Sequence, residues 1–276
     1  MNDTALLEIR DLELTNTQTG HQILHGINLR VDRGEALGLV GESGSGKSMT
    51  VRSVMRLLPD FIAVSGQVDY HGQSVLRFDR AQLRRFRSHE VAMVFQDPRA
   101  HINPIHTIGD FLTEGLICTH GVSSTAARKI AVDLLDEVGV SQAQRRMRQR
   151  PWELSGGLLQ RVMIAAALAI EPKLLLADEP TTALDVTTQE EVMAIIDELR
   201  RERELALMFI THDLSLASAV CDRIAVIKDG RVVDDLPANE LRNNASDPYT
   251  RDLLAAQVYF DPLHGAATAT NGEEPR

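Results

Sequence analysis

The chain has 276 residues, 43% of them hydrophobic and 25% charged, and carries a formal net charge of −10. That length and mix suit one large α/β domain or two lobes, and the acidic balance argues against a general nucleic-acid binder and a polybasic membrane anchor. Two cysteines, Cys118 and Cys221, stand in unrelated contexts, which argues against a disulfide framework or a cysteine metal cluster and fits a reduced, cytoplasmic setting.

The N-terminal MNDTALLEIR has no basic stretch followed by an apolar core, so no signal peptide is expected. The longest apolar run, Val162 to Ile170, falls far short of the roughly 20 residues that span a bilayer. Basic patches at Arg84 to Arg87 and Arg145 to Arg150 read as solvated helix faces.

In chain order, Leu6 to Leu14 and Gln22 to Val31 alternate apolar and polar residues, as half-buried strands do, and Asp32-Arg33-Gly34 closes them with a turn. They predict an antiparallel sheet against which a nucleotide base can lie. Ala36 to Val40 is an apolar run leading into Gly41-Glu42-Ser43-Gly44-Ser45-Gly46-Lys47-Ser48, followed by Met49 and a helical pattern. This fits G-x-x-x-x-G-K-[ST] in its strand, loop and helix context. The glycines let the backbone turn tightly with its N–H groups pointing inward, and the helix beginning near Lys47 aims its positive end at the same point. Lys47 is expected to reach the β- and γ-phosphates and the Ser48 hydroxyl to ligate Mg²⁺.

Gly66 to Val75 reads as a short hairpin around His71-Gly72, and Val91 to Phe95 as a compact strand. Gln96 then sits just past a strand end, where open α/β sheets hold their ligands. Residues 97–150 have few strand signals, and Ile130, Leu134, Leu135 and Val138 form a helical stripe ended by Gly139. Leu154-Ser155-Gly156-Gly157 opens a helix running through Ala169. Lys173 to Ala177 is a buried strand that delivers Asp178 and Glu179 at its carboxyl end. Thr187 with Glu190 fits a capping box before the stripe Val192, Ile195, Ile196 and Leu199. Leu205 to Ile210 is a further strand, ending at Thr211-His212-Asp213, and Arg223 to Leu236 is a hairpin turning at Asp229-Gly230. The tail, 261–276, has the composition of a disordered segment.

Phosphoryl transfer asks for spread negative charge to be met by cations and N–H donors, with one group to orient water. Lys47, Gln96, the Asp178-Glu179 pair and His212 are the residue types that this chemistry needs. With Ser155-Gly156-Gly157 added, the sequence resembles the ATP-binding-cassette ATPases over nearly its whole length. The resemblance implies an α/β fold: a P-loop NTPase core of mixed sheet and flanking helices, with an N-terminal antiparallel β subdomain and an inserted α-helical subdomain. The ATPase domain would span 1–260, with core and β subdomain over about 1–96 and 171–246 and the helical part over about 97–170.

In such proteins Asp178 holds the Mg²⁺ shell, Glu179 polarises the attacking water, His212 contacts the γ-phosphate, and Gln96 senses metal and water. Asp185, in Thr182-Ala183-Leu184-Asp185, matches the loop at the dimer seam. Ser155, Gly156 and Gly157 complete the γ-phosphate site of the opposite protomer, so two ATP molecules are buried head to tail.

The segments Phe95-Gln96-Asp97-Pro98-Arg99, Asn103-Pro104, Thr107-Ile108-Gly109 and Asp247-Pro248-Tyr249-Thr250-Arg251 resemble the subfamily that energises uptake of peptides and nickel. There the segment after Gln96 forms part of the groove gripping the membrane subunit. The partners implied are a second ATPase subunit, two transmembrane permeases and, through the complex, an extracytoplasmic solute-binding protein, with this chain on the cytoplasmic membrane face.

Three departures stand out. Leu158 replaces the usual signature glutamine, Leu14-Thr15-Asn16-Thr17 offers no aromatic to stack on adenine, and no cysteine follows Cys221 to hold an iron–sulfur cluster. The first two bear on site symmetry and ATP affinity, and suggest a heterodimer. An exporter or extraction ATPase is the alternative, disfavoured by the motifs after Gln96. A non-transport mechanical ATPase is disfavoured by the lack of long heptad or zinc modules.

Overall fold

The computed structural model describes residues 5–181 and 184–256. Thr182, Ala183 and the tail expected to be disordered lie outside the described residues. Strands β1 (Ala5–Asn16) and β2 (Gln22–Asp32) pair antiparallel, and β3 (Ala36–Val40), buried throughout, feeds α1 (Lys47–Val54). The hairpin β4 (Ile62–Tyr70) and β5 (Gln73–Ser74) follows, then α2 (Arg80–Arg85), a π turn over Phe86–Glu90, and β6 (Val91–Val94). Five helices come next: α3 (Pro98–His101), α4 (Ile108–Cys118), α5 (Ser124–Glu137), α6 (Ala143–Arg146) and α7 (Gly156–Leu168). The chain continues through β7 (Leu174–Asp178), α8 (Val186–Arg203), β8 (Ala206–Thr211) and α9 (Leu214–Val220). The described residues end with the hairpin β9 (Arg223–Lys228) and β10 (Arg231–Pro237), then α10 (Leu241–Asn244) and α11 (Pro248–Ala256).

The first sheet has the order β2-β1-β4-β5 and is antiparallel. The second has the order β10-β9-β3-β8-β7-β6, parallel from β9 to β6 with β10 as an antiparallel edge. Strand side chains alternate between faces, and the second sheet buries both faces. Leu175, Ala177, Leu207 and Phe209 join a core shared with α4, α5 and α7, whereas Leu174, Leu176, Met208 and Ile210 join the core beneath the antiparallel sheet. This is why β3, β7 and β8 read as unbroken apolar runs. The parallel pairing also lines up the carboxyl ends of β3, β8, β7 and β6, so the loops leaving those ends share one edge.

Helix starts follow local chemistry. Ser155 caps α7, its hydroxyl accepting from the Leu158 N–H at 3.4 Å. The α8 cap corrects a sequence expectation: Asp185, not Thr187, caps this helix, accepting from the Thr188 N–H at 3.0 Å and the Thr188 hydroxyl at 2.8 Å. Two cap patterns overlap here, and the carboxylate that stands before the first turn takes the role. After α5, Gly139 adopts φ +73, the left-handed conformation that glycine takes without strain, and its N–H closes on Asp136 O at 3.0 Å.

The patch at Arg84 to Arg87 is not wholly a solvated face. The half-buried Arg87 guanidinium donates to Met55 O at 2.9 and 2.7 Å and to Arg56 O at 2.8 Å, satisfying carbonyls at the end of α1. Among the described residues no helix is long and apolar enough to cross a membrane.

Candidate functional site

The loop after β3 is held from several sides. A Cβ on Gly41 would stand 2.2 Å from Ile227 O, so only glycine lets the loop lie this close to β9. Gly46 takes φ +107, and the Gly230 N–H donates to Ser45 O at 3.0 Å. Lys47, 4% exposed, donates to Gly41 O at 2.7 Å and Glu42 O at 2.8 Å, which leaves one of its three N–H directions for a phosphate oxygen. Burial pushes the Lys47 ammonium below its ordinary pKa, and the nearby Glu179, Asp178 and Glu42 carboxylates oppose that shift.

The neighbouring strand ends supply the rest. Asp178 closes β7, is 3% exposed, and accepts from the Ser48 hydroxyl at 2.7 Å, with Arg52 of α1 at 4.0 Å. Glu179 follows with φ +46, a left-handed conformation unusual for a side chain of its size, held as its N–H donates to Ile210 O at 3.0 Å. Side chains from neighbouring strands and from the phosphate loop approach its carboxylate. Gln96 Nε2 donates to Oε2 at 3.1 Å, His212 Nδ1 lies 3.6 Å from Oε2, and Lys47 Nζ lies 3.9 Å from Oε1. Gln96 leaves β6 and His212 leaves β8, so three adjacent strand ends converge on one carboxylate.

A cleft of about 730 Å³ opens over these groups. Gly41, Glu42, Ser43, Gly44, Gly46, Lys47, Ser48 and Met49 line it, with Gln96, Glu179 and His212 across from them. Ser45 is buried beneath the loop, and Asp178 lies behind Ser48.

The donor set suits Mg²⁺. A hydroxyl and a carboxylate in contact, with a glutamine amide nearby, are hard oxygen ligands for an ion that takes one or two protein ligands and completes its shell with water and phosphate. Among the described residues no group of three or more His, Cys, Asp or Glu side chains is arranged to hold a metal ion.

Ser155, Gly156, Gly157 and Asp185 do not line this cleft. They gather elsewhere: a Cβ on Gly157 would stand 2.8 Å from the Thr188 methyl and 3.9 Å from Leu184, which packs the start of α7 onto the start of α8 beside Asp185. The candidate residues therefore fall into two clusters on one chain. Leu158 is half-buried against the core shared with the helices.

The sequence reading missed four residues of the site. Ile23 of β2 and Leu253 of α11 line the cleft, Arg52 faces Asp178, and the Tyr249 hydroxyl accepts from the Glu42 N–H at 3.0 Å. Arg52 had a signal, since it stands one helical turn past Ser48 on the same face. Ile23 and Leu253 come from distant segments and had none, and Tyr249, though part of a quoted motif, gave no sign that it reaches the phosphate loop.

The sequence matches the family model described as ABC transporter over residues 24–182, more than half of the chain. The chain belongs to the ABC transporter family. It is 40% identical to the oligopeptide transport ATP-binding protein OppD of Bacillus subtilis (strain 168), over 92% of this chain and 72% of that one. It is 42% identical to the uncharacterized ABC transporter ATP-binding protein YejF of Escherichia coli (strain K12), over 94% of this chain but only 50% of YejF. Among solved structures, the ATP-binding cassette MJ0796 in a dimeric post-hydrolysis state, bound to ADP and Pi, matches with TM-score 0.75 and 30% identity, over 84% of this chain and 98% of that one. The ABC fold, with its P-loop core, antiparallel N-terminal sheet and intervening helices, is thus shared with cassettes that handle ATP.

Proposed function

We propose that this chain is the ATP-hydrolysing subunit of a multi-subunit ABC importer whose cargo is peptides. The observation that carries the ATPase reading is the carboxylate of Glu179, oriented by Gln96 at 3.1 Å across a cleft from Lys47 and Ser48. The B. subtilis relative's name supports peptides over nickel, a cargo that the segments after Gln96 and around Tyr249 allow equally.

Lys47 and the loop N–H groups bind the phosphates, and Ser48, Asp178 and Gln96 would hold Mg²⁺, which neutralises phosphate charge when bound. Glu179 accepts a hydrogen bond from water in line with the γ-phosphate, and His212 steadies that phosphate from β8. Ser155, Gly156, Gly157 and Asp185 lie outside their own chain's cleft, which suits a role at the site of a partner ATPase. Closure is then driven by ATP binding two subunits more tightly together than apart. The cassette would sit at the cytoplasmic membrane face beneath two permeases, with a solute-binding protein delivering cargo from the other side. Ile105, 73% exposed in the segment after Gln96, suits permease contact.

The test is Glu179→Gln in the complex assembled with its neighbouring subunits. Losing a general base costs about 10²–10⁴-fold in turnover. ATP binding should persist, with a closed, ATP-loaded form accumulating. Turnover at the wild-type rate would remove Glu179 from this role.

A further inference from the structure

The cleft has apolar lining that phosphate chemistry leaves unused. Ile23 comes from β2 and Leu253 from α11, and neither belongs to an element that delivers Gln96, Glu179 or His212. Strand order assigns them a side. The phosphate loop follows β3, with β8, β7 and β6 on one flank delivering those polar residues and β9 and β10 on the other. Ile23 belongs to the second flank: its carbonyl oxygen lies 2.2 Å from where a Cβ on Gly230 would stand, in the turn from β9 to β10.

Helix α11 belongs to that flank too. Lys228, at the end of β9, places its ammonium 4.8 Å from the centre of the Tyr249 ring. Asp234 of β10 accepts from the Ser246 and Asp247 N–H groups at 3.0 and 3.1 Å. Tyr249 in turn accepts from the Glu42 N–H at 3.0 Å, which ties the helix to the phosphate loop itself. A nucleotide with its last phosphate beside Glu179 therefore extends its base toward Ile23 and Leu253.

We propose that these two aliphatic side chains grip the adenine ring, with Leu253 presented by a C-terminal helix that Tyr249 positions against the loop. The proposal rests on the ATPase reading above. It gives the site a means of holding the base in a chain with no aromatic over Leu14 to Thr17. Aliphatic contact reads the area of a flat ring and makes no hydrogen bond to its edge. Leu253 and Ile23 are therefore specificity-determining residues for a purine ring as such. Tyr249 is a positioning residue, acting through the helix that carries Leu253.

Equilibrium binding of Mg-ATP and of Mg-tripolyphosphate, which keeps three phosphates and lacks the base, to the purified full chain separates the two ends of the site. Leu253→Ala should weaken ATP about tenfold, as expected for losing most of an aliphatic contact. Tripolyphosphate binding should stay at the wild-type level, and Leu253→Met should recover ATP. Tyr249→Phe, which keeps the ring and removes the acceptor, should give the same split in milder form, and so should Ile23→Ala. Equal loss of both ligands, or no loss of either across these variants, would overturn the proposal. Lys47→Ala is the separate control, expected to weaken both ligands. A wild-type chain that bound tripolyphosphate no better than Lys47→Ala would overturn the ATPase reading underneath.

Discussion

Asp178 shows how a single residue trades stability for chemistry. Burial raises its carboxyl above the ordinary range, against the pull of the Ser48 hydrogen bond and Arg52. The folded chain therefore keeps this proton at a pH where the unfolded chain has released it. Stability falls as pH climbs from the unfolded to the folded pKa, and the loss persists above that window. Asp178→Asn removes that charge and keeps an acceptor for Ser48. It should raise the Tm of the nucleotide-free chain, at roughly 2–4 °C per kcal/mol recovered for a domain of this size, while abolishing the effect of Mg²⁺ on ATP binding. Calorimetry with and without Mg-ATP checks both halves, and a lowered Tm would mean that pairing with Arg52 outweighs burial. The cysteines divide similarly: burial pushes the Cys221 thiol up to about 12, whereas Cys118 is exposed. Iodoacetamide on the native chain should label Cys118 and spare Cys221, as peptide mass spectrometry would read. A base held without edge hydrogen bonds also predicts modest preference for ATP over GTP in competition binding, and strong preference would point to a polar contact elsewhere.

At the scale of elements, close approach of backbones carries the site. Gly41→Ala would put a methyl group 2.2 Å from Ile227 O and 2.9 Å from Ser45 Oγ, so the loop must move off β9. Nucleotide affinity and Tm should both drop, measured by titration and thermal melting; unchanged values would show that the loop has room to shift. The core strands were legible because a parallel sheet covered on both faces demands unbroken apolar runs such as Leu174 to Ala177 and Ala206 to Ile210. Gln96 became legible only beside Glu179, since a polar residue after a strand is ordinary until parallel pairing brings its end next to another. Three things were hidden. The positive φ of Glu179 comes from the tertiary bond to Ile210, and no local pattern signals it. The α8 cap was misread because Thr187 and Glu190 also match a cap pattern, two residues too late. The last helix returning to the phosphate loop joins residues 207 apart, beyond any periodicity in the sequence.

At the scale of the whole molecule, one chain holds a cleft lined by the phosphate loop, Gln96, Glu179 and His212 and, apart from it, a second cluster around Ser155, Gly157 and Asp185. Leu158 in that cluster would serve the partner's nucleotide, whereas this chain's own Lys47 would face the partner's signature. Purified alone, the chain should hydrolyse ATP slowly, and adding the ATPase encoded beside it should raise the rate severalfold. Full activity from the isolated chain, unmoved by that addition, would reject the heterodimer. The geometry of α7 would set how such a partner site is made or lost. The helix lies against β6, where the Phe95 N–H meets Met163 Sδ at 3.4 Å, and it carries Ser155 at its far end. From Met163 to Ser155 is eight residues, a lever of about 12 Å at 1.5 Å each, so a tilt of about 10° about that contact swings Ser155 by about 2 Å. That arc exceeds the tolerance of a hydrogen bond, so in the proposed dimer a small rotation of α7 would be enough to engage or release a phosphate held by the partner.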